Sequence, residues 1–205
     1  MILNLFDFQS DAKNYLLDKV NDPSSKQRII VKSPTGSGKT VILISFIEDY
    51  LLYKDPNKIF IWLTPGKGDL EEQSKEKMEA ILPNAKTANI SDALLQGFKP
   101  GYTYFINWEM ITNKKNNALK DSEKKNLYER IAEAHREQYS FITIIDEEHL
   151  NNTAKADDVL NAFDSEKEIR VSATTKKNPM AEYYEIPEEE VINSGLITKA
   201  LYINP

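Results

Sequence analysis

The stretch that most constrains this chain is Ser33-Pro34-Thr35-Gly36-Ser37-Gly38-Lys39-Thr40. A short apolar run, Arg28-Ile29-Ile30-Val31-Lys32, leads into it, and a longer one from Val41 to Leu52 leads out. The first run is β-branched, as a buried parallel strand should be, and the second is long enough for a helix. A strand, a Gly-rich turn, Lys-Thr and a helix make the context of a phosphate-binding loop. Glycines at 36 and 38 let backbone N–H groups close around phosphate oxygens where a Cβ would interfere. The helix start adds its unsatisfied donors and the positive end of its dipole. The Lys39 ammonium suits β- and γ-phosphates, and the Thr40 hydroxyl suits a magnesium ion. Pro34, Thr35 and Ser37 complete the loop. One departure stands out: the strict pattern wants Gly at position 33, and this chain has Ser33.

Composition narrows the classes. The chain has 205 residues, 40% of them hydrophobic and 28% charged, which fits one globular α/β domain with a real core. It has no cysteine, so disulfides and Cys-based metal sites are excluded, and a reducing, cytoplasmic home is expected. The first residues lack a basic region and a cleavage site, so no signal peptide is expected. No apolar run has the length of a membrane span. A net charge of −6 is not the footprint of a dedicated nucleic-acid binder, although it allows local phosphate contacts at a motif.

Along the chain, residues 5–20 read as a helix, with Phe8, Ala12, Tyr15, Leu16 and Lys19 at helical spacing and Asp7 as N-cap. Gln9 stands near its start, where it is either an ordinary surface glutamine or part of a site. Lys58 to Thr64 reads as a second buried strand, ending at Thr64-Pro65-Gly66 where ligands gather in parallel sheets. A helix then opens at Asp69-Leu70-Glu71. Residues 86–90 form a weaker strand candidate and 101–107 a stronger one. Residues 113–139 read as polar and helical, with an apolar stripe of Leu119, Leu127, Ile131 and Ala134, and His135 partly packed beside it. Phe141 to Ile145 is the clearest strand of all and ends in Asp146-Glu147-Glu148-His149. A helix over 153–163, a strand over 168–171 ending in Ser172-Ala173-Thr174, and a short acidic helix over 188–194 follow. Strand then helix, repeated about five times, predicts a three-layer α/β fold, a parallel sheet covered on both faces. No internal linker is visible, so residues 1–205 are expected to form one domain.

An apolar strand ending in Asp-Glu, downstream of such a loop, supplies the other half of a nucleotide site. Asp146 would hold Mg²⁺ together with Thr40, and Glu147 would polarise an attacking water. Acidic residues after a strand also serve as helix caps, so the pair is informative only beside the loop. His149 has no cysteine and only one other histidine to join in a metal cluster.

These motifs together resemble a known family. The loop at 33–40, Thr64-Pro65 with Leu70 and Gln73, Asp146-Glu147-Glu148-His149, and Ser172-Ala173-Thr174 resemble motifs I, Ia, II and III of superfamily-two helicases, in order. Tyr104-Phe105-Ile106-Asn107-Trp108-Glu109 and the run from Asp146 to Asn151 resemble the motor part of type III restriction enzyme Res subunits. The resemblance implies a RecA-like P-loop NTPase fold, ATP and Mg²⁺ as ligands, and a DExH-type motor acting on DNA. It implies that Gln9 reads the adenine edge. Thr64 and Pro65 would lie along a nucleic-acid backbone, while Ser172 and Thr174, with His149, would couple hydrolysis to strand binding. Position 175 is Thr where proline is usual.

Such motors use two RecA-like domains. About thirty residues follow Thr174, too few for a second domain, and no arginine follows Arg170. An arginine finger contributes roughly 10³–10⁵ in rate, so this domain alone is expected to bind nucleotide and turn it over poorly. The expected partners are DNA, a second RecA-like domain and a methyltransferase modification subunit, with no membrane. Two other classes remain open at this point: a P-loop small-molecule kinase, and a nucleotide-gated interaction module without turnover.

Overall fold

The computed structural model describes residues 4–65, 70–109, 126–146 and 154–197. Helix α1 spans Asp7–Asn21, strand β1 Arg28–Lys32, α2 Lys39–Tyr53, β2 Ile59–Thr64, α3 Leu70–Ile81 and β3 Thr87–Asn89. Then come α4 Ile90–Gln96, β4 Thr103–Asn107, α5 Leu127–Arg136, β5 Phe141–Asp146 and α6 Ala154–Phe163. β6 Lys167–Ser172, β7 Glu182–Glu185 and α7 Glu188–Asn193 complete the described chain.

All seven strands join one parallel sheet in the order β3-β4-β2-β5-β6-β1-β7. Central strands read as unbroken apolar runs because both of their faces are covered. In β2 every residue is buried: Phe60 and Trp62 face one core with α1, α2 and Met78 of α3, whereas Ile59, Ile61 and Leu63 face another with α4, α5 and α6. Helices therefore lie on both faces, as the alternation of elements predicts. The α2 helix is apolar all round, with Ile42 to Ile47 buried without interruption, because it is sandwiched between the sheet and α1.

Several local readings shift for identifiable reasons. The N-cap of α1 is Phe6 rather than Asp7. Gln9, three residues on, accepts the Phe6 N–H at 3.1 Å through Oε1, so a glutamine side chain does the capping. The strand expected over 86–90 stops at Asn89, whose side chain accepts the Asp92 N–H at 3.1 Å while Asp92 accepts the Asn89 N–H at 2.9 Å. That reciprocal cap starts α4 at once. Within 113–139 the described helix is α5, with Leu127, Ile131 and Ala134 buried as the stripe requires; Leu119 lies outside the described residues. His135 is partly packed, its ring edge-on to Phe141 and its Nε2 3.1 Å from the Ala162 carbonyl. One strand lies outside the sequence expectation: β7, an edge strand that pairs with β1 and whose Tyr184 ring lies 4.8 Å from that of Tyr15 in α1.

The connection leaving β1 crosses β6 and β5 to reach β2, while those leaving β5 and β6 run the other way along the sheet. Such a reversal opens a crevice outside the carboxyl ends of the strands concerned. The loop at 33–38 and Asp146 both lie at that edge.

Candidate nucleotide site

The loop follows β1 directly, and its shape is set by two glycines. Gly36 and Gly38 both have φ of +83°, a left-handed conformation that side chains oppose. Gly38 is also the N-cap of α2, and its carbonyl accepts from Val41 and Ile42 at 2.9 and 3.1 Å. Intrahelical bonding thus begins at Val41, and the amides ahead of it are the donors that a helix start offers to an anion. A Cβ on Gly38 would come within 2.5 Å of Gln9 Nε2, so α1 is pressed against the loop.

Gln9 is 5% exposed, and its amide spans two loops: Oε1 takes the Phe6 N–H, and Nε2 donates to the Ser37 carbonyl at 2.9 Å. The structure therefore places Gln9 against the loop and rules out the ordinary surface reading. Pro34 is half-buried, Thr35 and Gly36 are exposed, Ser37 is buried, and Lys39 and Thr40 are half-buried in the first turn of α2.

Two strands away, Asp146 closes β5. Register puts Asp146 beside Val171, and Val171 beside Val31, so the carboxylate stands level with the end of β1. Lys39 Nζ reaches to 3.7 Å from Asp146 Oδ1, with side-chain exposures of 16% and 17%. The distance is that of an ion pair, longer than a hydrogen bond. Oδ1 is itself sealed from solvent. A buried carboxylate oxygen near a loop of donors, with the Thr40 hydroxyl in the adjoining turn, is the hard-oxygen donor set that Mg²⁺ favours.

The third strand end is tied in by backbone. Ser33 N–H donates to the Ser172 carbonyl at 3.1 Å, and Ser172 Oγ accepts the Thr174 N–H at 3.2 Å. The next residue, Thr175, where proline is usual in the motif, has a buried Oγ1 with no hydrogen-bond partner among the described residues.

Other sequence-derived candidates stand apart. Thr64 and Pro65 close β2, three strand spacings from β1, or about 14 Å. Both are buried, and the Thr64 hydroxyl has no partner among the described residues. Glu147 and His149 lie outside the described residues. Two further features emerge only from the structure. Ser33 Oγ and Ser37 Oγ are 2.6 Å apart, and both serines are fully buried. Asn107 Nδ2 donates to Glu71 Oε2 at 3.1 Å while its Oδ1 accepts the Glu109 N–H at 2.8 Å, binding the end of β4 to α3. The signal for the latter was an Asn at a strand end, a residue that readily bonds the backbone two positions on.

A cavity of about 320 Å³ adjoins the loop, lined among others by Lys32, Pro34, Thr35, Ala173, Glu185 and Ile197. A larger cleft of about 410 Å³, lined by Leu51, Pro56, Met78, Leu82, Lys86 and Gly101, lies at the amino edge of the sheet, away from the loop. The smaller one sits with the chemistry. Among the described residues no helix is long and apolar enough to cross a membrane.

Comparison with known proteins agrees with this geometry. The SWI2/SNF2 ATPase core from Sulfolobus solfataricus, solved in complex with dsDNA, superposes with a TM-score of 0.60 at 15% identity, over 84% of this chain and 32% of that one. The UvsW helicase from bacteriophage T4 superposes with a TM-score of 0.58 at 16% identity, over 89% of this chain and 60% of that one. The chain thus spans about a third and three fifths of these two structures, and shares with them the RecA-like fold of helicase cores. No curated protein matches it by sequence. The family described as "Type III restriction enzyme, res subunit" matches residues 2–177, so the chain belongs to that family.

Proposed function

We propose that this domain is the ATP-binding motor domain of a DExH-type DNA helicase or translocase, acting in the Res subunit of a type III restriction-modification enzyme. One observation carries the reading: Lys39 and Asp146, far apart in sequence, meet at 3.7 Å at the mouth of a glycine-shaped loop. In a P-loop enzyme those two positions flank the nucleotide's terminal phosphates.

Each residue has a role in this reading. The amides of Gly36 and of Gly38 to Thr40 bind the phosphate chain, framed by Pro34, Thr35 and Ser37, and Lys39 neutralises its terminal charge. Gln9 contacts the base from the α1 side of the loop. Thr40 and Asp146 hold Mg²⁺, which when bound supplies charge neutralisation on the β- and γ-oxygens. Glu147 is the general base that orients water. Thr64 and Pro65 face the nucleic-acid backbone, and His149, Ser172 and Thr174 couple the two sites. The partners are DNA, a second RecA-like domain that supplies the arginine finger, and a methyltransferase subunit, in the cytoplasm.

Lys39→Ala tests the reading. Removing a charge-assisted phosphate contact, with the loop otherwise intact, should weaken Mg-ATP binding by about 100-fold, near 2.7 kcal/mol, while the melting temperature stays within about 2 °C. Calorimetric titration reads the first and thermal unfolding the second. Equal affinity in both proteins overturns the proposal. Hydrolysis by this chain alone is expected to be slow, and vigorous DNA-stimulated turnover would contradict the need for a second domain. Release of free phosphate, rather than a phosphorylated acceptor, separates a motor from a kinase. Glu147→Gln in the reconstituted motor should keep ATP binding and lose turnover, which a non-hydrolysing switch would not show.

A further inference from the structure

Position 33, where the loop departs from the strict glycine pattern, is where its hydrogen bonding converges. We propose that Ser33 is a positioning residue that passes the state of the phosphate-binding loop to the Ser172–Thr174 segment through its hydroxyl bond to Ser37. The proposal rests on the nucleotide-binding reading above.

Ser37 sits between the two left-handed glycines, and all three of its polar groups are engaged. Its N–H donates to the Pro34 carbonyl at 3.1 Å, its carbonyl accepts from Gln9 Nε2 at 2.9 Å, and its Oγ lies 2.6 Å from Ser33 Oγ. Ser33 faces the other way along the chain of contacts: its N–H donates to the Ser172 carbonyl at 3.1 Å, and Ser172 Oγ accepts the Thr174 N–H at 3.2 Å. An unbroken line of bonds therefore runs from α1 through Gln9, Ser37, Ser33 and Ser172 to Thr174. Both loop serines and Ser172 are fully buried, so water does not compete for the Ser37–Ser33 and Ser33–Ser172 bonds.

Phosphate oxygens bind the loop through amides on either side of Ser37. Turning those peptide planes moves Ser37, which cannot move without Ser33 while their hydroxyls are bonded. Ser33 ends the strand pairing of β1 with β6, so its displacement is felt at Ser172. A glycine or alanine at 33 keeps the backbone bond to Ser172 and loses the side-chain half of the relay.

The test uses amide NMR of the 205-residue chain titrated with Mg-ADP. In the unsubstituted protein the amides of Gly36, Gly38 and Thr174 should all shift. In S33A and S33G the Gly36 and Gly38 shifts should persist, with a dissociation constant within about fivefold, the worth of one hydrogen bond. The Thr174 shift should fall by half or more in both. S33T, which keeps the hydroxyl, should retain it. A Thr174 response undiminished in S33A, or absent from the unsubstituted protein while Gly36 and Gly38 respond, overturns the relay alone. Loss in S33T as well as S33A marks packing rather than the hydroxyl and overturns it too. No response at Gly36 or Gly38 in the unsubstituted protein overturns the nucleotide reading itself, and the relay with it.

Discussion

The two edges of the sheet place their lysines in different surroundings. At the amino edge, Lys58 is 4% exposed and bonds Ser140 Oγ at 2.6 Å and Glu166 at 2.8 Å, with Asp55 at 3.3 Å. Lys167, 7% exposed, donates to the carbonyls of Ser25 at 2.8 Å, Asp22 at 3.2 Å and Lys26 at 3.3 Å, and to Ser25 Oγ. Burial pushes the Lys167 ammonium pKa down, and the ring of oxygens around it keeps the charge tolerable. At the carboxyl edge, Lys39 stands 3.7 Å from Asp146, too far for a hydrogen bond. The first two lysines are held at close range and stitch turns to strands. The third stands half-buried beside a loop of amides, at ion-pair distance from a carboxylate. A lysine ringed by its own chain's oxygens at the amino edge serves the fold, while one at the mouth of a glycine-shaped loop is placed to meet a ligand.

Exchanging the roles of the two edges is the most direct way to break this contrast. Lys39→Ala should cost nucleotide binding and spare stability, as set out above. Lys167→Met should do the reverse. It removes the donor shared by three carbonyls and a hydroxyl, and should lower unfolding free energy by about 1–3 kcal/mol in denaturant titrations, with Mg-ATP affinity unchanged. If Lys167→Met weakens nucleotide binding as much as Lys39→Ala does, the division between edges fails.

Gly38→Ala sharpens the contrast within the site. The new methyl meets Gln9 Nε2 at 2.5 Å, in a backbone conformation that opposes a side chain. Stability should fall by about 1–2 kcal/mol, and nucleotide affinity should fall with it, because the same glycine shapes the loop and seats α1. A smaller stability loss for Gly38→Ala in a Gln9→Ala background would show that the contact, and not the conformation, is responsible.

The smallest effect belongs to a residue remote from the loop. Tyr104 is 1% exposed; its hydroxyl accepts the Lys99 N–H at 2.9 Å and donates to the Gly97 carbonyl at 3.3 Å. Burial pushes its phenol from the usual 10.0 up to about 12. A raised phenol pKa means that the folded state holds its proton more tightly. That stability is fully present below pH 10 and is lost as pH rises toward 12. Tyr104→Phe should cost about 1 kcal/mol at neutral pH and flatten part of the alkaline decline, read by denaturant titration at several pH values. Tyr50, also raised to about 12 by burial, should supply a further part of that decline.

The legible parts of the fold are those where a segment reports on its own surroundings. Ile59 to Leu63 is apolar at every position, and the strand is buried throughout. The stripe of Leu127, Ile131 and Ala134 faces the core as its spacing requires. Gln9 was ambiguous because a glutamine near a helix start looks alike whether its amide meets water or a loop far along the chain; the structure joins it to Ser37. The edge strand β7 is not legible because its two tyrosines are only half-buried and flanked by Glu182 and Glu185, so no continuous apolar run marks it. Ser33 reads in the sequence only as a departure from the glycine pattern, because its hydroxyl bond to Ser37 depends on a turn whose φ values no residue letter states.

What the amino-acid order decides by itself is the kind of each element and the chemistry at its end: a glycine loop before Lys39-Thr40, and an apolar strand closing in Asp146. Side-chain periodicity and backbone preference act over a few residues, so they are written locally. Which strands become neighbours is decided by the crossovers, and only the order β5-β6-β1 carries Asp146 to within reach of Lys39. The same order sets Ser172 beside Ser33 and leaves Thr64 three strands away. Pairing is a property of two segments packed against shared helices, and no single stretch of chain encodes it.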